Sequence, residues 1–257
     1  MQFVIKCKKI FRSLLRNHQT IHHNLRRIYY LPRYWLPART SIMNILEEYS
    51  VNNSEIYFIQ IGANNGVDRF TDFRKRFKWR SILVEPQKEV FSQLKENNNY
   101  SSDIIFENMA ISNSTEIRKL YKFSLSHSAW ATGIASFNKE HIIKHIKEGW
   151  FEEQAKLEGI NIPENPDDYI ISEEVACITF EDLIKKHRFK KIDILVLDTE
   201  GYDFEILKSI DFNNFKPKII IFEFVHLKKN DFIECRRILR QNGYKLFIED
   251  LDILALH

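Results

Sequence analysis

The chain has 257 residues, of which 44% are hydrophobic and 28% are charged, and its formal net charge is +3. A chain of this size can bury one substantial core, so we expect a single α/β domain with an extension rather than two full domains. The apolar runs are too short for a transmembrane helix or for the core of a secretory signal. The three widely spaced cysteines, Cys7, Cys177 and Cys235, indicate neither a disulfide framework nor a cysteine zinc site, and we expect a cytoplasmic protein.

Positive charge is concentrated at the start of the chain. Residues 1–45 contain nine of the 38 Lys and Arg residues and none of the 35 Asp and Glu residues, with aromatic and aliphatic side chains between them. We predict a basic helical extension over residues 1–50. Three roles stay open for it: a cap that packs on the core, a helix in peripheral contact with an anionic membrane, or, last of the three, a docking arm for nucleic acid.

The first chemical signal is the segment Ile59–Gly66, where a β-branched apolar run ends on a glycine-bearing turn before a helical pattern. Such a turn needs residues without a Cβ clash, and Gly62 and Gly66 provide them. A ligand can then lie against the backbone N–H groups beside Asn64. The turn is not G-x-G-x-x-G, which argues against a dinucleotide and favours a ligand with a ribose but no phosphate, of which S-adenosylmethionine is the commonest.

Acidic residues follow two of the predicted strands that come after this turn. Glu85 ends the strand Ser81–Glu85, where its carboxylate can accept both hydroxyls of a ribose. Asp198 follows Asp193–Leu197, a nearly all-apolar run that is typical of a central parallel strand buried on both faces.

Three segments, Phe58–Gly66, Leu83–Pro86 and Thr179–Gly201, resemble the FkbM-type S-adenosylmethionine-dependent methyltransferases. The resemblance covers about residues 56–224. It implies a Rossmann-like, doubly wound α/β fold of the class I methyltransferase type, with a mostly parallel sheet and an antiparallel C-terminal strand. It also implies S-adenosylmethionine as cofactor and methyl transfer, usually to an oxygen. The family usually has an acid at the position of Gln60 and often a lysine at that of Val196.

This resemblance, together with the turn and strand ends, gives a predicted cofactor site. In these enzymes the end of the third strand, here Ile104–Asn108, receives the adenine edge. The predicted cofactor-binding residues are Gly62, Asn64, Gly66, Glu85, Asn108, Ala110 and Asp198.

Alternating strand and helix patterns continue through most of the remaining chain. We predict a strand at Ile219–Phe224 and helices at Gln87–Asn97 and Lys229–Asn242. Lys245–Glu249 and Ile253–Leu256 read as a closing hairpin that supplies the antiparallel last strand.

From Lys122 to Ser172 the alternation lapses. The segment is too long for an ordinary loop, and loops of this size are usually lids or binding elements. Within a methyltransferase domain over residues 51–257, we therefore predict an insertion over about 122–172 that covers the methyl acceptor. His127 and Trp130 are the candidate substrate contacts.

Chemistry is expected beyond the carboxyl ends of the last two parallel strands, because ligands in open α/β sheets bind there. We assign catalysis to Asp198, Glu200 and His226, and acceptor binding to Glu223. Methyl transfer from a sulfonium requires the acceptor to be aligned and deprotonated, and His226 matches a base near neutral pH better than Asp198 does. Asp198, Glu200 and Asp203 can offer oxygen ligands to Mg²⁺, or the last two can simply favour the positive end of the following helix; we assign no metal ligand.

The sequence thus predicts an S-adenosylmethionine-dependent O-methyltransferase that acts on a small hydroxylated acceptor, such as a sugar of a surface glycan. Two alternatives stay open. One is an RNA or protein methyltransferase that docks through the basic segment, and the other is a non-catalytic binding module of the same fold.

Overall fold

The computed structural model describes residues 41–147, 150–225 and 227–257. Most of the predicted basic extension, residues 1–40, lies outside the described residues, as does the predicted catalytic His226. In the part that is described, no helix has both the length and the apolar character needed to cross a membrane.

The described residues form an α/β structure. Its strands, in chain order, are β1 (Tyr57–Ile61), β2 (Arg80–Val84), β3 (Ile104–Glu107), β4 (Ala110–Ile111), β5 (Ile117–Phe123), β6 (Ile170–Ile178), β7 (Ile194–Leu197), β8 (Ile219–Glu223), β9 (Lys245–Glu249) and β10 (Asp252–Leu256). Its helices are α1 (Ile42–Asn52), α2 (Thr71–Phe77), α3 (Lys88–Asn97), α4 (Ala129–Thr132), α5 (Lys139–Ile146), α6 (Trp150–Leu157), α7 (Phe180–His187), α8 (Asp203–Ser209) and α9 (Lys229–Gln241), with a 3-10 turn at Pro166–Asp168.

The main sheet of the described residues has seven strands in the order β3-β2-β1-β7-β8-β10-β9. Strands β3, β2, β1, β7 and β8 are parallel, and β10 is antiparallel to both β8 and β9. This confirms the predicted fold class. Strand order reverses between β1 and β7, and the crevice at their carboxyl ends is where ligands bind in such sheets.

Both faces of the main sheet are buried. In β7, Leu195 and Leu197 pack into one core cluster, while Ile194 and Val196 pack into the cluster on the other face. A central parallel strand covered by helices on both sides has this continuous apolar character. The core therefore fixes the strand ends, and with them the position of the crevice.

The predicted elements of the main sheet are found within a few residues of their expected bounds. Thr179 caps α7 as its sequence suggests, since its hydroxyl oxygen accepts a hydrogen bond from the backbone N–H of Asp182 at 3.1 Å. Gly243 follows α9 with φ +89°, a left-handed conformation that ends helices.

A second sheet, in the order β4-β6-β5, was not predicted. Helices α4, α5 and α6 lie between β5 and β6. They pack around a small core of their own, which includes Phe123, Ile142 and Tyr169. The long segment is thus a folded unit with its own buried residues rather than an open loop. Its proposed role as a cover for the acceptor stays a prediction.

Helix α1 connects the start of the described chain to the sheet. Leu46 is fully buried in a core cluster, and the Tyr49 hydroxyl donates a hydrogen bond to Asp193 Oδ1 at 2.7 Å. Residues 42–52 therefore pack as part of the domain.

Candidate active site

The glycine turn after β1 brings two strand ends into contact. Gly62 has φ +81°, and a Cβ atom added to it would lie 1.7 Å from the backbone oxygen of Asp198. Beside it, the backbone N–H of Asp198 donates to the carbonyl oxygen of Ile61 at 3.0 Å. Only glycine permits this approach, which places the turn directly beside the first acidic residue after β7.

Glu85 lies at the end of β2, facing the same turn. Its side chain is buried, and its carboxylate accepts hydrogen bonds from the backbone N–H groups of Asn64 at 3.0 Å and Gln87 at 2.9 Å. Burial raises the pKa of Glu85 to about 7, although these hydrogen bonds act in the opposite direction. The carboxylate is therefore held rigidly, and its charge changes near neutral pH.

A cavity of about 270 Å³ opens between these strand ends, close to the lower end of the range for small-molecule sites. Its walls also include apolar side chains such as Met109, Ile111 and Phe137. The predicted cofactor-binding residues that line it are Gly62, Asn64, Glu85, Ala110 and Asp198.

The two other predicted cofactor residues are not among the described residues that line this cavity. The carbonyl oxygen of Gly66 accepts a hydrogen bond from the buried Arg74 at 3.0 Å. The amide of Asn108 donates to the carbonyl oxygens of Glu85 and Pro86 at 2.9 and 3.0 Å. Both residues shape the turns that form the site.

Gln60, which stands where the family usually has an acid, belongs to a buried polar network. Its amide oxygen accepts from Arg74 Nη1 at 3.1 Å, and its amide nitrogen donates to Asp68 Oδ2 at 2.9 Å. An amide can bridge a guanidinium and a carboxylate in this way because it both accepts and donates. Because Arg74 also donates to the carbonyl oxygen of Gly66, this network holds the glycine turn in place.

Part of the insertion is hydrogen-bonded across the cavity. The Thr132 hydroxyl contacts Asn64 Oδ1 at 3.1 Å, and the Gln87 amide donates to the Thr132 carbonyl oxygen at 2.9 Å. Further along, the Ser136 hydroxyl donates to the carbonyl oxygen of Glu200 at 3.1 Å. The insertion thus contacts the turn after β1, the start of α3 and the loop after β7.

A second cavity, of about 300 Å³, lies beyond the ends of β7 and β8. It shares Asp198 and Glu200 with the first cavity. The described residues that line it include five carboxylates, those of Asp198, Glu200, Glu223, Asp250 and Asp252. Two adjoining compartments, the second of them lined by carboxylates, therefore meet at two of the predicted catalytic residues.

Desolvation and repulsion between neighbouring carboxylates raise the pKa of the acidic groups at this junction. Asp198 is exposed at the junction of the cavities, and its remaining desolvation, together with repulsion from Glu223, raises its pKa above the usual range. The pKa of Glu200 is raised well above its usual range by the same two causes. Both groups are consequently stronger bases than carboxylates of ordinary pKa.

Asp203 holds the loop that carries these acids. It is buried and accepts hydrogen bonds from the backbone N–H groups of Thr199 at 3.2 Å and Gly201 at 3.3 Å. Burial and the charge of Glu223 raise the pKa of Asp203 to about 6. Its carboxylate is therefore hydrogen-bonded to the backbone of this loop. Within the loop, Glu200 has a left-handed φ of +50°.

The predicted substrate contacts have other partners. His127 is largely exposed and pairs with Glu89 at 3.0 Å. The Trp130 indole donates to Glu158 Oε1 at 2.7 Å and packs edge-on against Phe151. Neither His127 nor Trp130 is among the described residues that line the two cavities, whereas Glu223 lines the acidic one.

Sequence reasoning missed two histidines of the insertion that reach the site. His141 Nε2 lies 3.1 Å and His145 Nε2 lies 3.6 Å from Glu200 Oε2. The available signal was their spacing of four residues, which places both on one face of a helix. Their distance of more than fifty residues from Glu200 in sequence concealed the contact.

Comparison with solved structures finds several methyltransferases at low sequence identity. The N-terminal domain of human METTL16 in complex with SAH is 12% identical, with a TM-score of 0.42 over 91% of this chain and 79% of that one. The fibrillarin pre-rRNA processing protein of Methanococcus jannaschii is 11% identical, with a TM-score of 0.40 over 79% and 66% of the two chains. Precorrin-6y C5,15-methyltransferase of Geobacter metallireducens is 7% identical, with a TM-score of 0.39 over 86% and 91%.

No significant match is found among curated proteins. In contrast, residues 60–246 match the Methyltransferase FkbM domain, which is more than half of the chain. This match runs from the end of β1 to the start of β9 and contains the glycine turn, Glu85 and the acidic loop after β7. The chain therefore belongs to the FkbM family of S-adenosylmethionine-dependent methyltransferases.

Proposed function

We propose that this protein transfers the methyl group of S-adenosylmethionine to a hydroxyl of a small acceptor, such as a sugar of a surface glycan. The observation that carries this proposal is the junction of the two cavities at Asp198 and Glu200. One compartment has the residues expected to hold an adenosyl cofactor, and the other has groups that can bind and deprotonate a hydroxyl.

On the cofactor side, the buried carboxylate of Glu85 would accept the ribose hydroxyls, as acids at this strand end do in nucleotide-binding α/β folds. Met109 and Ala110, just beyond β3, line the part of the cavity that would receive the adenine edge. The sulfonium would then point toward Asp198, which lines the same cavity.

Methyl transfer is an in-line displacement. The acceptor oxygen forms a bond to the methyl carbon while the carbon–sulfur bond breaks, and the electron pair of that bond leaves with sulfur as a neutral thioether. The acceptor proton passes to a carboxylate. Asp198 and Glu200 suit this role because their raised pKa brings their basicity closer to that of an efficient general base.

The acidic compartment supports a neutral, hydroxylated acceptor. Carboxylates accept hydrogen bonds from sugar hydroxyls, whereas closely spaced negative charges repel phosphate groups. This favours a sugar over RNA as the methylated molecule.

The test is turnover of purified protein with S-adenosylmethionine and a panel of acceptors: neutral mono- and oligosaccharides, a sugar phosphate and short RNA. We expect S-adenosylhomocysteine to form, with a mass gain of one methyl group, only with neutral hydroxylated acceptors. D198N should lower kcat by about 100-fold or more, the usual contribution of a general base. The exposed D211N variant is the matched control.

Three results would contradict the proposal. Methylated RNA would favour the nucleic-acid alternative, and methylation of the sugar phosphate in preference to the neutral sugar would contradict the electrostatic argument. Tight cofactor binding without turnover on any hydroxylated acceptor would favour a non-catalytic module.

A further inference from the structure

We propose that His141, His145 and Glu200 form a binding site for a divalent transition-metal ion of the Zn²⁺ type. The site lies where α5 of the insertion meets the loop after β7. Its existence does not depend on the proposed methyl transfer, because it is argued from ligand geometry alone.

The three side chains have the spacing of metal ligands. The two Nε2 atoms lie 3.1 and 3.6 Å from Glu200 Oε2, and the imidazole rings are 4.5 Å apart between centroids. With metal–ligand bonds of about 2.0–2.1 Å, neighbouring ligand atoms of a tetrahedral site lie about 3.3–3.4 Å apart. An ion could therefore enter with only small side-chain adjustments.

Independent parts of the fold hold the two halves of this site. On α5, Ile142 and Ile146 are buried in the core of the insertion, which fixes the helix and turns the two histidines toward Glu200. On the other side, Asp203 binds the backbone of the loop that carries Glu200. Ligands that are held in place before binding lose little freedom when the ion enters.

The ligand set selects the class of ion. Two imidazoles and one carboxylate suit Zn²⁺ and other first-row transition ions, whereas Mg²⁺ prefers oxygen ligands and retains its waters. Among the described residues the site has three protein ligands, the number found in catalytic zinc sites, where water or substrate takes the fourth position. The carboxylate oxygens of Asp198, Glu200 and Glu223 lie within 4.8 Å of one another, which adds negative charge beside the ion.

A consequence that rests on the proposed function concerns the acceptor. A further position on the ion would take the acceptor oxygen, and a bound cation lowers the pKa of a coordinated hydroxyl. Because Glu200 would then be a ligand, Asp198 would accept the proton. Metal binding itself can be measured without turnover, so failure of one proposal is distinguishable from failure of the other.

The experiment uses the full chain without an affinity tag, after treatment with a chelator that is then removed. Zn²⁺ binding is measured by calorimetry, and Co²⁺ binding by its visible absorption, which reports nitrogen and oxygen coordination. We expect one equivalent of Zn²⁺ or Co²⁺ per chain at this site, and no displacement of Co²⁺ by millimolar Mg²⁺.

The double variant H141A/H145A and the single variant E200Q should each bind Co²⁺ more than about 100-fold more weakly, because even loss of a residue that only hydrogen-bonds to a ligand typically costs about 10- to 100-fold. H145Q is a milder variant, to be used if the double variant does not fold, as judged by thermal unfolding. H257A removes an exposed histidine elsewhere and should bind as the wild type does.

Two outcomes would overturn the proposal. Absence of stoichiometric Zn²⁺ and Co²⁺ binding would show that the contacts of His141 and His145 with Glu200 hold the insertion in place without binding an ion. Binding that is unchanged in the double variant would place the ion elsewhere, for example at His18, His22 and His23 in the N-terminal segment.

Discussion

Among single residues, Gly62 has the most restrictive geometry. Its positive φ strains any other residue, and a Cβ there would overlap the backbone of Asp198. We expect G62A to lower the free energy of unfolding by about 3 kcal/mol or more, since a left-handed conformation costs about 1–2 kcal/mol and the overlap adds to it. Urea denaturation measures the change, and cofactor affinity should fall with it.

Gly159 provides the matched control. It also has a positive φ, +71°, but nothing lies within 4 Å of an added Cβ. G159A should therefore cost only the backbone strain, about 1–2 kcal/mol. Equal destabilisation of the two variants would show that the close approach of Gly62 to Asp198 is unimportant.

The raised pKa of Glu85 predicts that cofactor binding depends on pH. An ionised carboxylate accepts ribose hydroxyls better than a protonated one, and the pKa of Glu85 is about 7. Affinity for S-adenosylhomocysteine, measured by calorimetry, should thus be about tenfold lower at pH 6 than at pH 8. The variant E85Q should bind weakly at both values, whereas E89Q, which changes an exposed glutamate, should resemble the wild type.

Protonation of Glu85 does not unfold the protein, so unfolding would not explain a lower cofactor affinity at pH 6. A carboxyl whose pKa is raised in the folded state binds protons more tightly when folded, so its contribution to stability is complete below pH 4.5 and is lost as the pH rises through about 7. This group therefore stabilises the empty protein as the pH falls from 8 to 6. A flat affinity profile in the wild type would contradict the role assigned to the carboxylate.

The sequence located Gly62, Glu85 and Asp198 correctly in one cavity because strand ends and a glycine turn determine where their backbones lie. It did not foresee that the Asn108 amide binds backbone carbonyls, since competing local hydrogen bonds depend on the exact turn. The contact of His141 with Glu200 depends on the path of the insertion, which no local pattern specifies.

At the level of elements, the strands of the main sheet were predictable because each is a short apolar run that the core buries. Strand β5 was not, because only Leu120 and Phe123 of its seven residues are buried, and three of the other five are charged. Strand β6 was predicted only from Val175 onward for the same reason, since its first half is largely exposed. Strand positions with little burial carry little periodicity.

The contact of α4 with the glycine turn gives a prediction for the insertion. Thr132→Val keeps the shape of the side chain but removes the hydroxyl that contacts Asn64. Loss of one such hydrogen bond costs about 0.5–1.5 kcal/mol, so affinity for S-adenosylhomocysteine should fall about 2- to 10-fold. Ser128→Ala, at the start of the same helix, removes a hydroxyl that donates to Glu158 instead and should leave affinity unchanged.

Hydrogen exchange tests the same contact without a mutation. Cofactor binding should slow exchange of the α4 backbone amides, because an occupied cavity restricts the opening of this segment. An insertion that exchanges equally fast with and without cofactor, combined with unaltered affinity of the threonine variant, would mean that it does not take part in cofactor binding.

Across the whole molecule, charge is divided between a basic beginning and a net acidic remainder. The acidic residues at the ends of β7, β8 and β10 concentrate negative charge on one side of the sheet. Lys6, Lys8 and Lys9 belong to the segment that contains no acids. We propose that this segment attaches the enzyme to an anionic membrane surface, where attraction is worth about 1 kcal/mol for each basic residue.

Co-sedimentation with vesicles of phosphatidylserine and phosphatidylcholine measures this attachment. The triple variant K6Q/K8Q/K9Q should bind about 100-fold more weakly, which is about 3 kcal/mol for three charges. Binding of the wild type should also weaken steeply with salt, because exposed charges are screened over about 10 Å at 0.1 M. Affinity for S-adenosylhomocysteine should be the same in the variant and the wild type, because the substitutions lie outside the methyltransferase domain.

Equal binding to vesicles of phosphatidylcholine alone would contradict an electrostatic attachment. Salt-sensitive binding to RNA but not to anionic vesicles would assign the segment to nucleic acid instead.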